Sequence, residues 1–236
     1  MCEACDLIFV RHEEADGNVA MNRSKFSGDS SAFTEEMRAK SSHEWRLTPN
    51  GRERAVRLAR WVNDTFPLDQ LRLVVSPSRR AVETAELVLP GSAWKIMRGV
   101  RGRLWGGIEQ LPWKEWGPYC QTHGMHCLPS GFNEAYPNGE SMEAVYRRTR
   151  SFLKRMNRSA LVVTHGEVLV ATRMILEKRA VSEYPLIERN GRHIRNGHVI
   201  WYSKRDPQTG VCSETLDYKR EYYDGFESPW EKLNAG

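Results

Sequence analysis

The sequence predicts a three-layer α/β/α fold, in which helices cover both faces of a mostly parallel sheet. Three short, largely apolar runs are each followed by a polar residue and a helical pattern, at 7–10, 71–75 and 160–163. Such runs are typical of strands that are buried on both faces. The repeated switch from strand to helix is typical of parallel sheets. We therefore expect one α/β domain over residues 1–236.

The first half of the chain supplies two strands and two helices. Residues 6–11 form the first predicted strand. The polar stretch 14–46 is long for a connection, so we expect a functional lid or a partly helical insertion there. Thr48 can cap a helix that has Pro49 in its first turn and ends near Phe66. Further elements are predicted as a strand at 71–76 and a helix from 78 to about 89.

The second half repeats this order after an irregular excursion. Residues 99–138 are rich in Gly, Pro and Trp and lack a clear period, so we expect this second insertion to close the pocket from above. The helix after Ser141 carries Met142, Val145, Phe152 and Met156 on one face. The remaining predicted elements are a strand at 160–164, a helix at 168–177, and late edge strands at 198–202 and 215–218.

Two histidines lie where two predicted strands end. Arg11-His12 follows the first strand, and His165 follows the strand at 160–164. Ligands of open α/β sheets bind at the carboxyl ends of the strands, so both imidazoles can face one pocket. A neutral imidazole can attack phosphorus, and arginines can hold phosphoryl oxygens through paired hydrogen bonds. The pattern indicates a phosphoryl-transfer site.

Composition and charge narrow the class of protein. The net charge is +5, and 26 of the 35 basic residues are arginine. Most of these arginines, such as those at 52, 54, 57 and 60, are expected to solvate helix faces. Because no nucleic-acid motif and no long basic run is present, we expect no nucleic-acid partner. No apolar stretch is long enough to cross a bilayer, so we expect no membrane partner. The acidic start without a basic n-region favours a cytoplasmic protein.

The five cysteines do not predict a disulfide scaffold. Cys120, His123, His126 and Cys127 could offer metal ligands, and Cys2 and Cys5 add a Cys-x-x-Cys pair. Their spacing fits no standard zinc finger, so we expect no metal there.

Five motifs occur in the order of a known family. They are Phe9-Val10-Arg11-His12-Glu13-Glu14, Leu47-Thr48-Pro49-Asn50-Gly51, Ser76-Pro77-Ser78-Arg79-Arg80-Ala81-Val82-Glu83-Thr84-Ala85, Gly139-Glu140-Ser141 and Thr164-His165-Gly166. Together they resemble the histidine phosphatase superfamily, the branch that includes cofactor-dependent phosphoglycerate mutase and many small-molecule phosphatases. The resemblance covers most of residues 5–177 and fades in the insertions and the C-terminus.

The resemblance implies a role for each matching residue. His12 is then the nucleophile that becomes phosphohistidine, and Arg11, Arg80 and His165 surround the phosphoryl group. Asn18 resembles the asparagine that helps to line the phosphate site. Adjacent helical residues point about 100° apart, so only one of the two adjacent arginines is expected to face the site, and the motif selects Arg80.

Two departures from the family bear on mechanism. Glu13 replaces the glycine after the nucleophile, which predicts extra bulk and negative charge beside the phosphate. The family takes its proton donor from a segment before a glycine that aligns with Gly106, and this places Gly102 at the acid position. Glu109 is the best replacement; it can equally be a plain loop carboxylate. Three weaker candidates are Glu13, Glu14 and Glu167.

The resulting hypothesis is a phosphatase that acts on a phosphorylated small molecule through phosphohistidine, without a metal or another cofactor. One alternative is a mutase that returns the phosphoryl group to another hydroxyl. Another is a catalytically silent relative that binds phosphorylated ligands. The sequence leaves the substrate and the oligomeric state open.

Overall fold

The computed structural model describes residues 6–125, 131–191 and 194–233. The strands of these ranges are β1 (Asp6–Arg11), β2 (Arg72–Val75), β3 (Lys95–Ile96), β4 (Ala160–Thr164), β5 (Val199–Ser203), β6 (Tyr218–Tyr223), β7 (Phe226–Glu227) and β8 (Glu231–Lys232). The α-helices are α1 (Asp16–Asn22), α2 (Glu35–Ala39), α3 (Pro49–Thr65), α4 (Arg79–Val88), α5 (Trp113–Thr122), α6 (Met142–Leu153), α7 (Gly166–Leu176) and α8 (Tyr184–Gly191).

All the described strands join one sheet, in the order β3-β2-β4-β1-β5-β6-β7, and β8 pairs with β6. The pairs β3/β2, β2/β4 and β4/β1 are parallel, whereas β5 lies antiparallel to β1. The predicted mostly parallel sheet is thus confirmed for the core β3-β2-β4-β1, while the pairs β5/β6, β6/β7 and β6/β8 on one side are antiparallel. One late strand differs from the prediction: it was predicted at 215–218, whereas β6 begins at Tyr218. Thr215 and Asp217 make local hydrogen bonds instead of pairing in the sheet.

Successive side chains of β1 alternate between two cores. Leu7 and Phe9 pack with residues of α6, α7 and α8, whereas Ile8 and Val10 pack with residues of α3 and α4. Because both faces of the strand are buried, its sequence is continuously apolar. The sheet is thus the middle layer of a three-layer α/β/α fold, as predicted.

Side-chain caps fix where two of the helices begin. The Thr48 hydroxyl accepts a hydrogen bond from Gly51 N at 3.0 Å, and Pro49 occupies the first turn of α3. The Ser141 hydroxyl accepts from Ala144 N at 3.2 Å at the start of α6. Both caps satisfy amides that have no partner within their own helix.

The predicted insertions both contain helices. Residues 14–46 hold α1, one π-helical turn at Arg23–Ser27, and α2. Residues 99–138 hold α5 and form a separate aromatic core, in which Trp116 and Tyr136 are buried. Among the described residues, no helix is both long and apolar enough to cross a membrane.

Candidate active site

Strand register brings the two histidines together. Arg11 of β1 pairs with Thr164 of β4, so His12 and His165 leave the sheet side by side. The amide of His12 donates to Thr164 O at 2.8 Å. Their ring centroids are 4.9 Å apart with an interplanar angle of 63°. The two imidazoles therefore face one site, as the sequence pattern predicted.

The tautomer of His12 follows from its contacts. Nδ1 lies 2.7 Å from the carbonyl oxygen of Glu13, which can only accept, so Nδ1 carries the proton. Nε2 of His12 accepts a hydrogen bond from Nε of Arg80 at 3.0 Å. Burial, followed by the charges of Arg80 and Arg11, holds the pKa of His12 well below its usual value. The ring is therefore neutral at physiological pH, and its lone pair is on Nε2.

His165 is held in the opposite tautomer. An arginine nitrogen can only donate, so Arg80, whose Nη2 lies 3.3 Å from Nδ1 of His165, leaves the proton on Nε2. That Nε2 donates to the Ser76 hydroxyl at 2.7 Å. Burial, together with the charge of Arg80, also holds the pKa of His165 well below its usual value. Ser76 lies in the third sequence motif, but no pattern in the sequence indicated this contact.

Two half-buried arginines complete the ring around the histidines. Nη1 of Arg11 donates to Ile194 O at 2.5 Å, while its buried Nε has no hydrogen-bond partner among the described residues. Nη1 of Arg80 donates to Ser42 O at 2.5 Å. Burial lowers the pKa of Arg80 to about 10, so it stays charged at neutral pH. Arg79 instead lies at the surface and pairs with Glu83 at 3.1 Å, in agreement with the choice of Arg80.

These side chains line an inner pocket of about 260 Å³. It shares several lining residues with a larger outer chamber of about 940 Å³. The inner pocket contains Arg11, His12, Asn18, Arg80 and His165. Its carboxylates are those of Glu109 and Glu167. All six site residues predicted from the sequence therefore lie around one cavity.

The family model of the histidine phosphatase superfamily, branch 1, matches residues 7–203. This chain belongs to the histidine phosphatase superfamily.

Two solved structures share the fold at low sequence identity. A mycobacterial glucosyl-3-phosphoglycerate phosphatase superposes with a TM-score of 0.62 at 22% identity, over 85% of this chain and 93% of that chain. An α-ribazole phosphatase from Shigella flexneri gives a TM-score of 0.61 at 20% identity, over 89% and 96% of the two chains. At these identities the likeness shows the shared fold.

A curated relative is the 6-phosphofructo-2-kinase/fructose-2,6-bisphosphatase 4 of Rattus norvegicus. It is 26% identical over 145 residues, which are 60% of this chain and 30% of the relative. The chain thus matches less than a third of that longer protein.

In this member of the histidine phosphatase superfamily, Asn18 joins the pocket to the segment 194–197. Its Oδ1 accepts from Ala15 N at 3.1 Å and from Asn196 Nδ2 at 3.2 Å. Asn196 also donates to the carbonyl of His12 at 3.1 Å. Among the described residues no partner binds the amide nitrogen of Asn18, so this donor is open to a ligand. No sequence motif pointed to Asn196.

The two family departures have different structural outcomes. A Cβ added at Gly102 would lie 3.1 Å from Nδ1 of His165, so a side chain there would crowd the histidine ring. The prediction that Glu13 adds negative charge beside the phosphate is wrong. Its buried carboxylate turns away from the pocket and pairs with Nε of Arg54 at 3.1 Å. The local reason is Gly197, where the absent Cβ would lie 1.9 Å from Oε1 of Glu13.

Glu109 reaches the site through Ser42. The Ser42 hydroxyl donates to Oε1 of Glu109, and the Ser42 carbonyl binds Arg80. Glu167 also lines the pocket, on the first turn of α7. The structure thus offers two carboxylates at the rim of the inner pocket.

The Cys/His cluster lies only partly within the described residues. Cys120 is buried in the aromatic core, and the His123 ring stacks on Tyr119 with centroids 4.1 Å apart. Cys2, Cys5, His126 and Cys127 fall outside the described ranges. Among the described residues, no group of three or more metal-ligating side chains comes together.

Proposed function

We propose that this protein hydrolyses phosphate monoesters of small molecules through a phosphohistidine on His12. The observation that carries the proposal is the orientation of His12: its Nδ1–H is held by Glu13 O at 2.7 Å, so Nε2 presents a lone pair to the pocket. The low pKa of the buried ring keeps that lone pair unprotonated at neutral pH. A neutral, oriented imidazole is the form that can attack phosphorus.

In the first step, Nε2 of His12 forms a bond to phosphorus while the bond from phosphorus to the leaving oxygen breaks. Arg80 exchanges its contact with Nε2 for a phosphoryl oxygen. The guanidinium of Arg11 and the amide of Asn18, which line the same pocket, supply further donors. Positive charge fixed around the transferring group stabilises the charge that spreads over its oxygens.

The leaving oxygen needs a proton, and we assign its transfer to Glu109. Protonated Glu109 donates to the leaving oxygen in the first step. Its carboxylate then takes a proton from the water that attacks phosphorus, the bond between phosphorus and His12 breaks, and inorganic phosphate leaves. The hydrogen bond from Ser42 fixes Glu109 next to the segment that holds Arg80. Glu167 is the other carboxylate that a test must separate from it.

Hydrolysis suits this pocket better than return of the phosphoryl group to a second hydroxyl. The inner pocket shares eight lining residues with the outer chamber of about 940 Å³, so water can reach the phosphoenzyme. A mutase must protect that intermediate from water.

The test is hydrolysis of 4-nitrophenyl phosphate in the presence of a chelator, by the wild type and by His12→Ala. We expect chelator-resistant activity that is lost in His12→Ala. Brief mixing with ³²P-labelled substrate should label the wild type with an acid-labile, base-stable phosphoryl group. Arg80→Gln should also lose activity, because Arg80 lines the inner pocket. Arg79→Gln is its matched control, because Arg79 lies outside that pocket and pairs with Glu83.

Folded His12→Ala with undiminished activity would contradict the assignment. Transfer of label to an added alcohol in preference to water would indicate the mutase. A folded wild type with neither hydrolysis nor labelling would favour a protein that only binds phosphorylated ligands.

A further inference from the structure

The outer chamber beside the inner pocket contains more positive charge than the phosphoryl group requires. Its basic lining residues are Arg11, Lys25, Arg54, Arg103 and Arg195, and its acidic ones are Glu14 and Glu167. Of the basic residues, Arg54 is paired with the buried Glu13. Arg11 belongs to the phosphoryl site. Three basic residues, Lys25, Arg103 and Arg195, then remain in the lining with the two acidic ones, and they lie beside the part of the substrate beyond the phosphoryl group.

Arg103 lies at the junction of the two cavities and lines both of them. It is 7% exposed, and a buried charge is unfavourable unless an opposite charge or strong hydrogen bonds compensate it. Its Nε donates to Glu140 O at 2.7 Å and its Nη2 to Glu134 O at 3.1 Å. Both partners are neutral carbonyls, and no described carboxylate lies within ion-pair distance of the guanidinium.

Two neighbouring arginines differ from Arg103 because each forms an ion pair with a carboxylate of the protein. Arg101 and Arg148 both pair with the Glu140 carboxylate, at 2.7 and 2.9 Å. Both guanidinium groups therefore share one anionic partner within the protein, and their nitrogens also bind the carbonyl of Gly102. Arg103 binds the backbone carbonyl of Glu140 and not its carboxylate, so its charge has no anionic partner among the described residues and lies beside the two cavities.

The shape of the site adds an apolar face. The Arg103 guanidinium lies 4.7 Å from the centre of a Trp105 ring, and Trp105 lines both cavities beside it. Stacking on an aromatic ring holds a guanidinium plane in place while leaving its edge free to bind an oxyanion. A leaving group in this position meets a cation and an aromatic surface together.

We propose that the substrate carries a second anionic group, a carboxylate or a phosphate, on its leaving group, and that Arg103 binds this oxyanion at the junction of the two cavities. The proposal rests on the phosphatase function proposed above and names the class of substrate. It makes Arg103 a residue that determines specificity, outside the ring of groups that contact the transferring phosphoryl group.

The experiment compares three phenyl phosphates that differ only at the meta position: a carboxamide, a carboxylate and a phosphonate. We expect the wild type to favour the carboxylate or the phosphonate over the carboxamide by about tenfold or more in kcat/KM, since hydrogen bonds between charged groups have about this strength. The difference should appear mainly in KM. A higher kcat/KM for the carboxylate or for the phosphonate identifies which of the two oxyanions the site prefers.

The variants are Arg103→Gln and Arg103→Lys, with Arg79→Gln as the surface control. In Arg103→Gln we expect the ratio of kcat/KM between the anionic and the neutral compound to fall to about 1. Arg103→Lys should restore part of it, because charge is kept while the fork is lost. The ratio is independent of how much of a variant folds, because both compounds meet the same molecules.

Hydrolysis of all three compounds by the wild type at equal kcat/KM would overturn this proposal and leave the proposed function standing. An unchanged ratio of kcat/KM between the anionic and the neutral compound in folded Arg103→Gln would also overturn it. Another cation would then bind the second anionic group. If neither variant folds, the wild type alone provides the test. A preference for the anionic compounds that decreases with added salt supports the proposal, and the absence of such a preference overturns it. Hydrolysis of none of the three compounds, with no phosphohistidine, would be failure of the proposed function itself.

Discussion

Oγ of Ser76 lies 2.7 Å from Nε2 of His165, and this contact keeps the proton of His165 on the side away from Arg80. Ser76 leaves β2 beside the end of β4, because Val75 pairs with Val163 in the sheet register. Both side chains are buried, so the hydrogen bond is shielded from water. The strand order therefore places Ser76 where it fixes the tautomer of His165.

Ser76→Ala should remove the acceptor of the Nε2 proton and leave a buried donor unsatisfied. We expect a loss of about 1–3 kcal/mol in stability and a fall of about tenfold or more in kcat, because His165 can then change tautomer or rotate. Urea unfolding and steady-state hydrolysis of 4-nitrophenyl phosphate measure the two effects. The exposed Ser92→Ala is the control, and equal behaviour of both variants would contradict the positioning role.

Gly102→Ala tests why the family acid position holds no side chain. The new Cβ would lie 3.1 Å from Nδ1 and 3.2 Å from Cγ of His165, which is tighter than ordinary van der Waals contact. We expect the ring to move, kcat to fall about tenfold or more, and stability to change by about 1–3 kcal/mol. An NMR shift of the His165 ring resonances would report the displacement. Full activity in Gly102→Ala would show that the ring does not need its present position.

Glu109→Gln tests the proton donor. A positioned acid contributes about 10²–10⁴-fold, and mainly for poor leaving groups. We expect Glu109→Gln to slow an alkyl phosphate by that factor and to change 4-nitrophenyl phosphate little. Glu167→Gln is the comparison, because Glu167 also lines the inner pocket. If only Glu167→Gln shows the dependence on leaving group, the acid is Glu167.

The sequence predicted the parts of the site that depend on local pattern. His12 and His165 could be located at two neighbouring strand ends because an apolar strand, a polar end and a following helix are all local signals. Arg80 was separated from Arg79 because the motif fixes one helical position. The roles of all six site residues stay predictions until they are tested.

What the sequence could not predict depends on contacts between distant segments. The direction of Glu13 is set by Gly197 and Arg54, which lie far from it in the chain. The contact of Asn196 with His12 has the same origin. No sequence signal singled out Arg103, because its significance is that no carboxylate of the described residues pairs with it, which only the tertiary structure reveals.

Arg54→Gln tests the ion pair that replaces the family glycine. Burial, opposed by the charge of Arg54, raises the pKa of Glu13, and loss of Arg54 would leave an unpaired buried carboxylate. We expect a destabilisation of about 3 kcal/mol at pH 8. A raised folded-state pKa means that protonation favours the folded state, so the destabilisation should shrink toward pH 5. Denaturant titrations at both pH values measure it, and Glu13→Gly in the Arg54→Gln background should restore part of the loss.

Arg57→Gln is the control for that series. Arg57 lies on the same helix, but its ion-pair partner at 3.7 Å is the half-exposed Asp224 and not a buried carboxylate. Its effect should be small and independent of pH. A destabilisation by Arg54→Gln that grows toward low pH would contradict the burial of an ionised Glu13.

Glu221 gives the clearest dependence of stability on acid. Although burial opposes ionisation, a hydrogen bond from His198 and the charges of Arg173 and Lys219 lower the pKa of Glu221 to about 2. Because the folded-state pKa is depressed, its contribution is complete above the unfolded value of about 4.3 and is lost as pH falls toward 2. We expect Glu221→Gln to be less stable than the wild type by about 3 kcal/mol at pH 7, with the two curves converging near pH 2. Thermal or urea unfolding between pH 2 and 7 measures this, with the exposed Glu214→Gln as control. A constant difference across that range would show that the loss comes from packing and not from the charge of Glu221.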